Sequence, residues 1–282
     1  MGELKDRMLM DMELRNFSPK TIKAYLCHMT NFSKLFLKSP SEMGEVEIRQ
    51  YLYHLKEEKK VSWSNINIGY CAIKFFYTKT LHRGWNVDHL PRPKGEKKLP
   101  VVLSRAELKK LFDATSNLKH LTMLMTTYCG GLRVSETAHL KIADIDSSRM
   151  LIRVDQGKGR KDRDTLLSAV ALKELRCYYL KYRPTTLLFP GKDNDKPIDT
   201  GTIQRIFKQA RNKAGIRKAA TPHTLRHSFA THFLEDGGDL FHLKKLMGHA
   251  SLKTTLIYIH IQHQSLNKLI SPLDRMFEEE VR

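Results

Sequence analysis

Apolar residues recur every three to four positions through most of this chain, and the places where that period fails divide it into helices and turns. In "SPKTIKAYLCHMTNFSKLFLK", Ser18 is an N-cap and Pro19 the first helical residue; Ile22, Leu26, Met29, Phe32 and Phe36 then line one face. The same spacing runs through "ELKDRMLMDMEL", through "EVEIRQYLYHLKEEK" with Ile48, Leu52 and Leu55, and through "SNINIGYCAIKFFYTKTL" with Ile66, Tyr70, Ile73 and Tyr77. Residues 1–88 thus read as a four-helix unit without a strand signal, within a first domain of residues 1–90.

The pattern then stops. "PRPKGEKKLP", residues 91–100, holds three prolines, one glycine and four basic residues against one acid, and reads as a linker. It suits either a strap along a phosphate backbone or a solvated tether. Periodicity resumes in a second domain, residues 101–282, where Ser104 and Glu107 of "SRAELKKLF" make a capping box. Helices are expected at 117–129, 134–141, 166–181 and 200–213, the last followed by Gly215 at the position after the cap. Between them "RMLIRVDQGKGRKDRDTLLS" alternates and then breaks at Gly157 and Gly159, the mark of a hairpin. The expected architecture is mainly α in two domains, the second mixed α/β with one small antiparallel sheet.

Charge narrows the partners. Lys and Arg number 49 against 30 acids, giving a net charge of +19 and a pI near 9.8, which points to a polyanion, nucleic acid first. With 41% hydrophobic residues the chain has material for real cores rather than disorder. No run of about 18 apolar residues and no secretory leader is visible, so a soluble, cytoplasmic protein without a membrane partner is expected. Cys27, Cys71, Cys129 and Cys177 are far apart, as expected of reduced, mostly packed thiols.

Candidate chemistry clusters near the C-terminus, in "TPHTLRHSFATHFLEDGGDLFHLKKLMGHASLKTTLIYIHI". Thr221 and Pro222 start a helix on which His223 and Arg226, three apart, share a face; it stops at Gly237 and Gly238. A second helix ends at Gly248, with His249 at the turn, and a third begins near Ser251 and presents Tyr258. Each residue alone has an ordinary structural explanation: a surface histidine, a snorkelling arginine, a packed aromatic. His223 and His227 have the i, i+4 spacing of a zinc pair, but the intervening "TLR" lacks a glutamate base and sets a cation beside the metal. Acids are scattered, which disfavours a two-metal nuclease, and there is no phosphate-binding Gly-rich loop; no metal and no cofactor are expected.

Together the residues suit attack on a phosphodiester. Negative charge building on the non-bridging oxygens must be met by fixed donors, and the guanidinium groups of Arg133, in "GLRVSE", and Arg226 do this best. Tyr258 fits a nucleophile that forms a covalent phosphoprotein. Lys158, in "QGKGRKDR", fits an acid for the leaving alkoxide, because neighbouring cations depress its pKa.

The ordered series, Arg in "GLRVSE", Lys in a hairpin "GKG", then "HTLRH", "LMGH" and "TTLIYIH", resembles the tyrosine recombinase (phage integrase) family, in a mobile-element-associated or Xer-like form. The resemblance covers most of the chain, departing modestly, as with Met247 where leucine is usual. It implies a helical SAM-like core-binding domain and a tyrosine recombinase catalytic domain, closed as a C-shaped clamp on duplex DNA. Arg133 and Arg226 would hold the scissile phosphate, Lys158 would protonate the leaving 5′ oxygen, and His223 would assist proton transfer from the nucleophile. His249 would donate to a phosphate oxygen, and Tyr258 would carry the 3′-phosphotyrosyl link, without metal or ATP. Glu136 reads either as a positioning acid for a catalytic neighbour or as an ordinary acid of a helix's first turn.

The same resemblance implies a monomer or weak oligomer in free solution and a homotetramer on paired sites. Accessory DNA-bending proteins are candidate partners. The tail "SLNKLISPLDRMFEEEVR", with Leu266, Leu269, Ile270 and Leu273 on one stripe, docks either on a neighbouring protomer or on its own domain. Two alternatives stay open: a type IB topoisomerase-like enzyme with the same chemistry, and a catalytically silent DNA-binding clamp.

Overall fold

The computed structural model describes residues 2–84, 99–155 and 162–259. Contacts divide the chain into two units, Met1–Lys98 and Leu99–Arg282. The sequence-expected linker largely, the tip of the hairpin with Lys158, and the tail from residue 260 lie outside the described residues.

The first unit contains helices α1 (Gly2–Leu14), α2 (Pro19–Phe36), α3 (Glu45–Glu57) and α4 (Trp63–Phe75), with α4 running into a wider π-helical turn at Phe76–Thr80. Ser18 caps α2 as expected, its hydroxyl accepting from the Thr21 N–H, and the predicted face delivers Met29 and Phe32 to the core. Met8, Met12, Ile48, Tyr51, Ile66 and Ile73 complete that core. A histidine sits inside it: His28 lies between the Tyr51 hydroxyl (3.1 Å) and Asn65 Oδ1 (2.8 Å), so its burial leaves no ring nitrogen unpaired.

The second unit runs α5 (Arg105–Asp113), α6 (Leu118–Cys129), α7 (Val134–His139), strands β1 (Ile145–Asp146), β2 (Leu151–Val154) and β3 (Arg163–Leu166), then α8 (Ala169–Tyr182), α9 (Thr200–Lys213), α10 (Pro222–Glu235), α11 (Leu240–Met247) and α12 (Leu252–Leu256). The Ser104–Glu107 capping box forms, and Gly215 follows α9 at φ +67°. Three features depart from the sequence reading. The hairpin gains a third antiparallel strand, β1, too short for alternation to reveal. Leu166 ends β3 instead of starting a helix; the hydroxyl of Ser168, accepting from Ala171 N–H, sets the true start of α8. The thiols are free, but Cys27 and Cys177 are exposed and neither Cys71 nor Cys129 is fully buried, so they are less packed than expected.

α10 carries most of the architecture. It is buried on nearly all sides, Leu225, Phe229, Ala230 and Leu234 contributing apolar surface and Thr224, Ser228 and Thr231 small polar surface. Ser228 is accommodated because its Oγ donates to the Thr224 carbonyl at 2.8 Å and accepts from the Leu103 N–H at 2.9 Å. α10 lies against α6, and the Tyr128 hydroxyl meets His232 Nδ1 between them at 2.9 Å.

Candidate active site

The site is organised by two chain reversals. After α6 the backbone turns through Gly130 and Gly131 so that Arg133 becomes the N-cap of α7. Gly131 stands at φ +55°, and a Cβ there would lie 2.4 Å from Cδ1 of Phe229, so both conformation and space require glycine. Leu132 is fully buried and Val134 packs on the core, which leaves Arg133 to face outward between them. The second reversal closes α11 at Gly248, φ +61°, where a Cβ would meet Arg163 Cδ at 2.8 Å.

A helix end leaves carbonyls without partners, and here two arginines satisfy them. Arg163 Nε donates to the Leu246 carbonyl at 2.8 Å, and Arg226 Nη2 donates to the Met247 carbonyl. Arg226 Nη1 also donates to the Gly131 carbonyl at 2.5 Å, so this one side chain, 3% exposed, joins both reversals. Burial foremost, and the neighbouring Arg133 charge, lower the Arg226 pKa to about 10; it stays charged at neutral pH.

Glu136 balances the cations. Its carboxylate receives Arg163 Nη1 at 2.9 Å and Nη2 at 2.7 Å, Arg133 Nη1 at 2.5 Å and the Arg133 backbone N–H at 2.8 Å, and lies 3.8 Å from Arg226. Burial alone would raise this carboxyl, but the bonds and charge from Arg163 and Arg133 outweigh it and hold the pKa at about 2. Of the two readings of Glu136, the positioning one is therefore what the geometry supports. Three guanidinium groups against one carboxylate leave an excess of two positive charges, suited to an anion.

The histidines and the tyrosine lie beside this cluster. His249 Nε2 is 3.3 Å from Arg226 Nη2, and its Nδ1 is 3.0 Å from Thr255 Oγ1. Arginine only donates, so Nε2 accepts and the ring proton sits on Nδ1. Burial, then the charges of Arg226, Arg133 and Arg163, push His249 down to about 4. Tyr258, 3% exposed, stacks near-parallel to His249 at 6.4 Å, with its hydroxyl 2.9 Å from His227 Nδ1. Burial raises the phenol pKa while Arg226 and Arg133 draw it down. His223 is exposed at the rim, its ring 5.6 Å from that of His227; desolvation first, then Arg226 and Arg133, lower its pKa.

The fold thus gathers Arg133, His223, Arg226, His249 and Tyr258, and Lys158 lies outside the described residues. Among the described residues no group of three His, Cys, Asp or Glu side chains forms a cage for a metal, and His227 of the zinc-like spacing is occupied by Tyr258. Sequence reading missed Arg163 and His227. Arg163 pairs across the hairpin with Val154, an inward position, so a charge on the buried face was the available signal. In the sequence His227 stands out only through its zinc-like spacing from His223.

Residues 101–265 match the Phage integrase family, and residues 4–87 match the Phage integrase N-terminal SAM-like domain. A putative integrase/recombinase, y4qK, of Sinorhizobium fredii is 41% identical over 275 residues, covering 97% of this chain and 89% of the relative. The tyrosine recombinase XerA of Pyrococcus furiosus is 33% identical over 277 residues, covering 95% of this chain and 93% of the relative. Among solved structures, a XerA recombinase aligns over 99% of this chain and 98% of its own, at 32% identity and TM-score 0.53. The fold is also that of the XerH site-specific recombinase bound to palindromic difH substrate, at TM-score 0.74 and 22% identity, over 92% of this chain and 81% of that one. With both domains matched and full-length relatives above 30% identity, the chain belongs to the phage integrase family and is a tyrosine-type site-specific DNA recombinase.

Proposed function

We propose that the cluster around Glu136 binds one phosphodiester of duplex DNA and that Tyr258 attacks it. In this reading Arg133 and Arg226 hold the non-bridging oxygens. A guanidinium has five N–H donors, and the three bonds of Arg226 to Gly131, Met247 and His249 leave donors over for a phosphate. Once the anion replaces it as the partner of Arg226, His249 takes a proton on Nε2 and donates it to a phosphate oxygen, with His223 assisting removal of the nucleophile's proton. Lys158 takes the role of general acid toward the 5′ oxygen, on the strength of the family resemblance and its place between β2 and β3.

The single observation that carries the reading is the convergence of Tyr258 with the buried Arg226, held by two backbone carbonyls, and with Arg133, held by Glu136. Such preorganised donors meet the transition-state charge without rearrangement. Residues 1–90 bind the core duplex, residues 91–100 link the domains, and four copies assemble on two paired sites with accessory DNA-bending proteins. Among the described residues no helix is long and apolar enough to cross a membrane, which is compatible with a cytoplasmic setting.

Covalent trapping tests this. Labelled, nicked duplexes from a randomised library are mixed with the protein in EDTA and denatured in SDS. An EDTA-resistant adduct that Tyr258→Phe abolishes, while binding persists, is expected. An adduct that survives in Tyr258→Phe would overturn the nucleophile assignment.

A further inference from the structure

We infer that His227, not His223, is the catalytic residue that takes the proton from the Tyr258 hydroxyl. The inference rests on the reading of Tyr258 as nucleophile given above, and the first observation behind it is the bond itself: His227 Nδ1 lies 2.9 Å from the Tyr258 hydroxyl. A buried phenol needs an acceptor, and among the described residues the one this hydroxyl meets is that nitrogen. The phenol therefore donates, Nδ1 of the neutral ring carries the lone pair, and the ring's own proton is on Nε2.

The placement follows from the helix. Arg226 and His227 are consecutive on α10, so one side chain grips the two chain reversals while its neighbour points about 100° around the axis, toward the end of α12. His223 is one turn earlier, on the same face as His227 but exposed, and the Tyr258 hydroxyl bonds to His227 instead. The order from solvent to nucleophile is His223, His227, Tyr258. His223 can then pass a proton between His227 and water without touching the reacting oxygen.

Electrostatics makes the acceptor responsive to substrate. Burial foremost, then His223 and the Arg226 charge, hold His227 down to about 4, so in the free protein it is neutral but a weak base. The other charged groups nearby, Arg133 and Arg163, are tied to Glu136. A phosphodiester seated on Arg226 cancels the cation that depresses His227 and raises its basicity when the nucleophile must act.

The step balances. The O–H bond of Tyr258 breaks and its proton moves to His227 Nδ1 as the new oxygen–phosphorus bond forms. The bond from phosphorus to the 5′ oxygen breaks, and that oxygen takes a proton from the general acid. On rejoining, a 5′ hydroxyl returns its proton to the conjugate base of the general acid and attacks phosphorus, the phenolate leaves, and His227 returns the other proton to it.

Two variants and one additive test this, on nicked duplexes first recovered by covalent capture with the unaltered protein. His227→Asn preserves a polar atom near Nδ1 but cannot hold the proton; His227→Ala opens a cavity. Both are expected to bind the duplex as before and to cleave it about 100-fold or more slowly in a single turnover. Added imidazole should restore His227→Ala in proportion to its free-base fraction, which a merely structural role would not produce. His223→Asn is expected to lose less rate than His227→Asn. An unchanged rate in His227→Asn, or a slow His227→Ala that imidazole does not restore at any pH, would overturn the inference while leaving Tyr258 in place. Failure of the unaltered protein to form any Tyr258-dependent adduct would instead sink the reading on which it rests.

Discussion

Both oxygens of Glu136 are bound by Arg163, at 2.9 and 2.7 Å, in a fork-to-fork pair whose two side chains are each only 6% exposed. Such a pair contributes little net stability compared with an apolar substitute, but removing one partner leaves an uncompensated buried charge. Because the same carboxylate holds Arg133, and Arg163 also closes the end of α11 beside His249, damage here spreads to both Arg133 and His249. Glu136→Gln should therefore destabilise the catalytic domain by about 3–5 kcal/mol, read from urea unfolding.

Acid unfolding should occur in two windows. Glu136 titrates at about 2 when folded against an ordinary 4.5, so its stabilisation, about 3 kcal/mol, is complete above pH 4.5 and is lost as pH falls toward 2. His227 and His249 sit at about 4 when folded against 6.5, so they too favour the unfolded chain as pH falls, but beginning below 6.5. The urea midpoint followed against pH should show both limbs. Glu136→Gln should remove only the lower one, and a single limb in the unaltered protein would contradict the assignment.

Arg226→Lys should fail despite keeping the charge. An ammonium cannot reach the Gly131 and Met247 carbonyls together, and a buried carbonyl without a donor costs about 1–3 kcal/mol. Thermal melting should fall accordingly, and the yield of covalent adduct should drop by about 100-fold or more, as when one transition-state donor is lost.

Gly131→Ala tests the turn that presents Arg133. The new methyl carbon would meet Phe229 at 2.4 Å and the residue would keep φ +55°, together costing about 1–3 kcal/mol. Adding Phe229→Leu should recover the steric part of that loss and not the backbone part. Full recovery in the double variant would mean that the backbone strain is negligible.

Duplex affinity should fall tenfold or more between 50 and 200 mM salt, as expected when several phosphates are neutralised by a chain of net charge +19. A flat response in a filter-binding or anisotropy titration would count against phosphate-dominated binding.

Much of this protein was legible in its sequence because helices announce themselves locally. Ser18, Ser104 and Gly215 marked their boundaries from cap chemistry alone, and α2 buried the residues its spacing nominated. Arg133, Arg226, His249 and Tyr258 were nominated by their ordered series in the sequence, and the fold brings them together. What escaped depends on pairing between distant segments. β1 has two residues and exists only through β2. Arg163 becomes an inward residue only once the register of β2 and β3 is known. α10 carries Thr224, Ser228 and Thr231, yet the fold buries these polar positions too, the Ser228 hydroxyl bonding back to the helix's own backbone.

Arg226 is a strut whatever else it does: it ties the turn after α6 to the end of α11. Its retention in any descendant is thus no witness to activity. A lineage that had abandoned recombination would still be held by selection for folding to Arg226, Glu136 and Gly131, and free to drift at Tyr258 and His223. In comparing copies of this gene, decay of the function should be sought at the tyrosine and the rim histidine, long before it reaches the arginines.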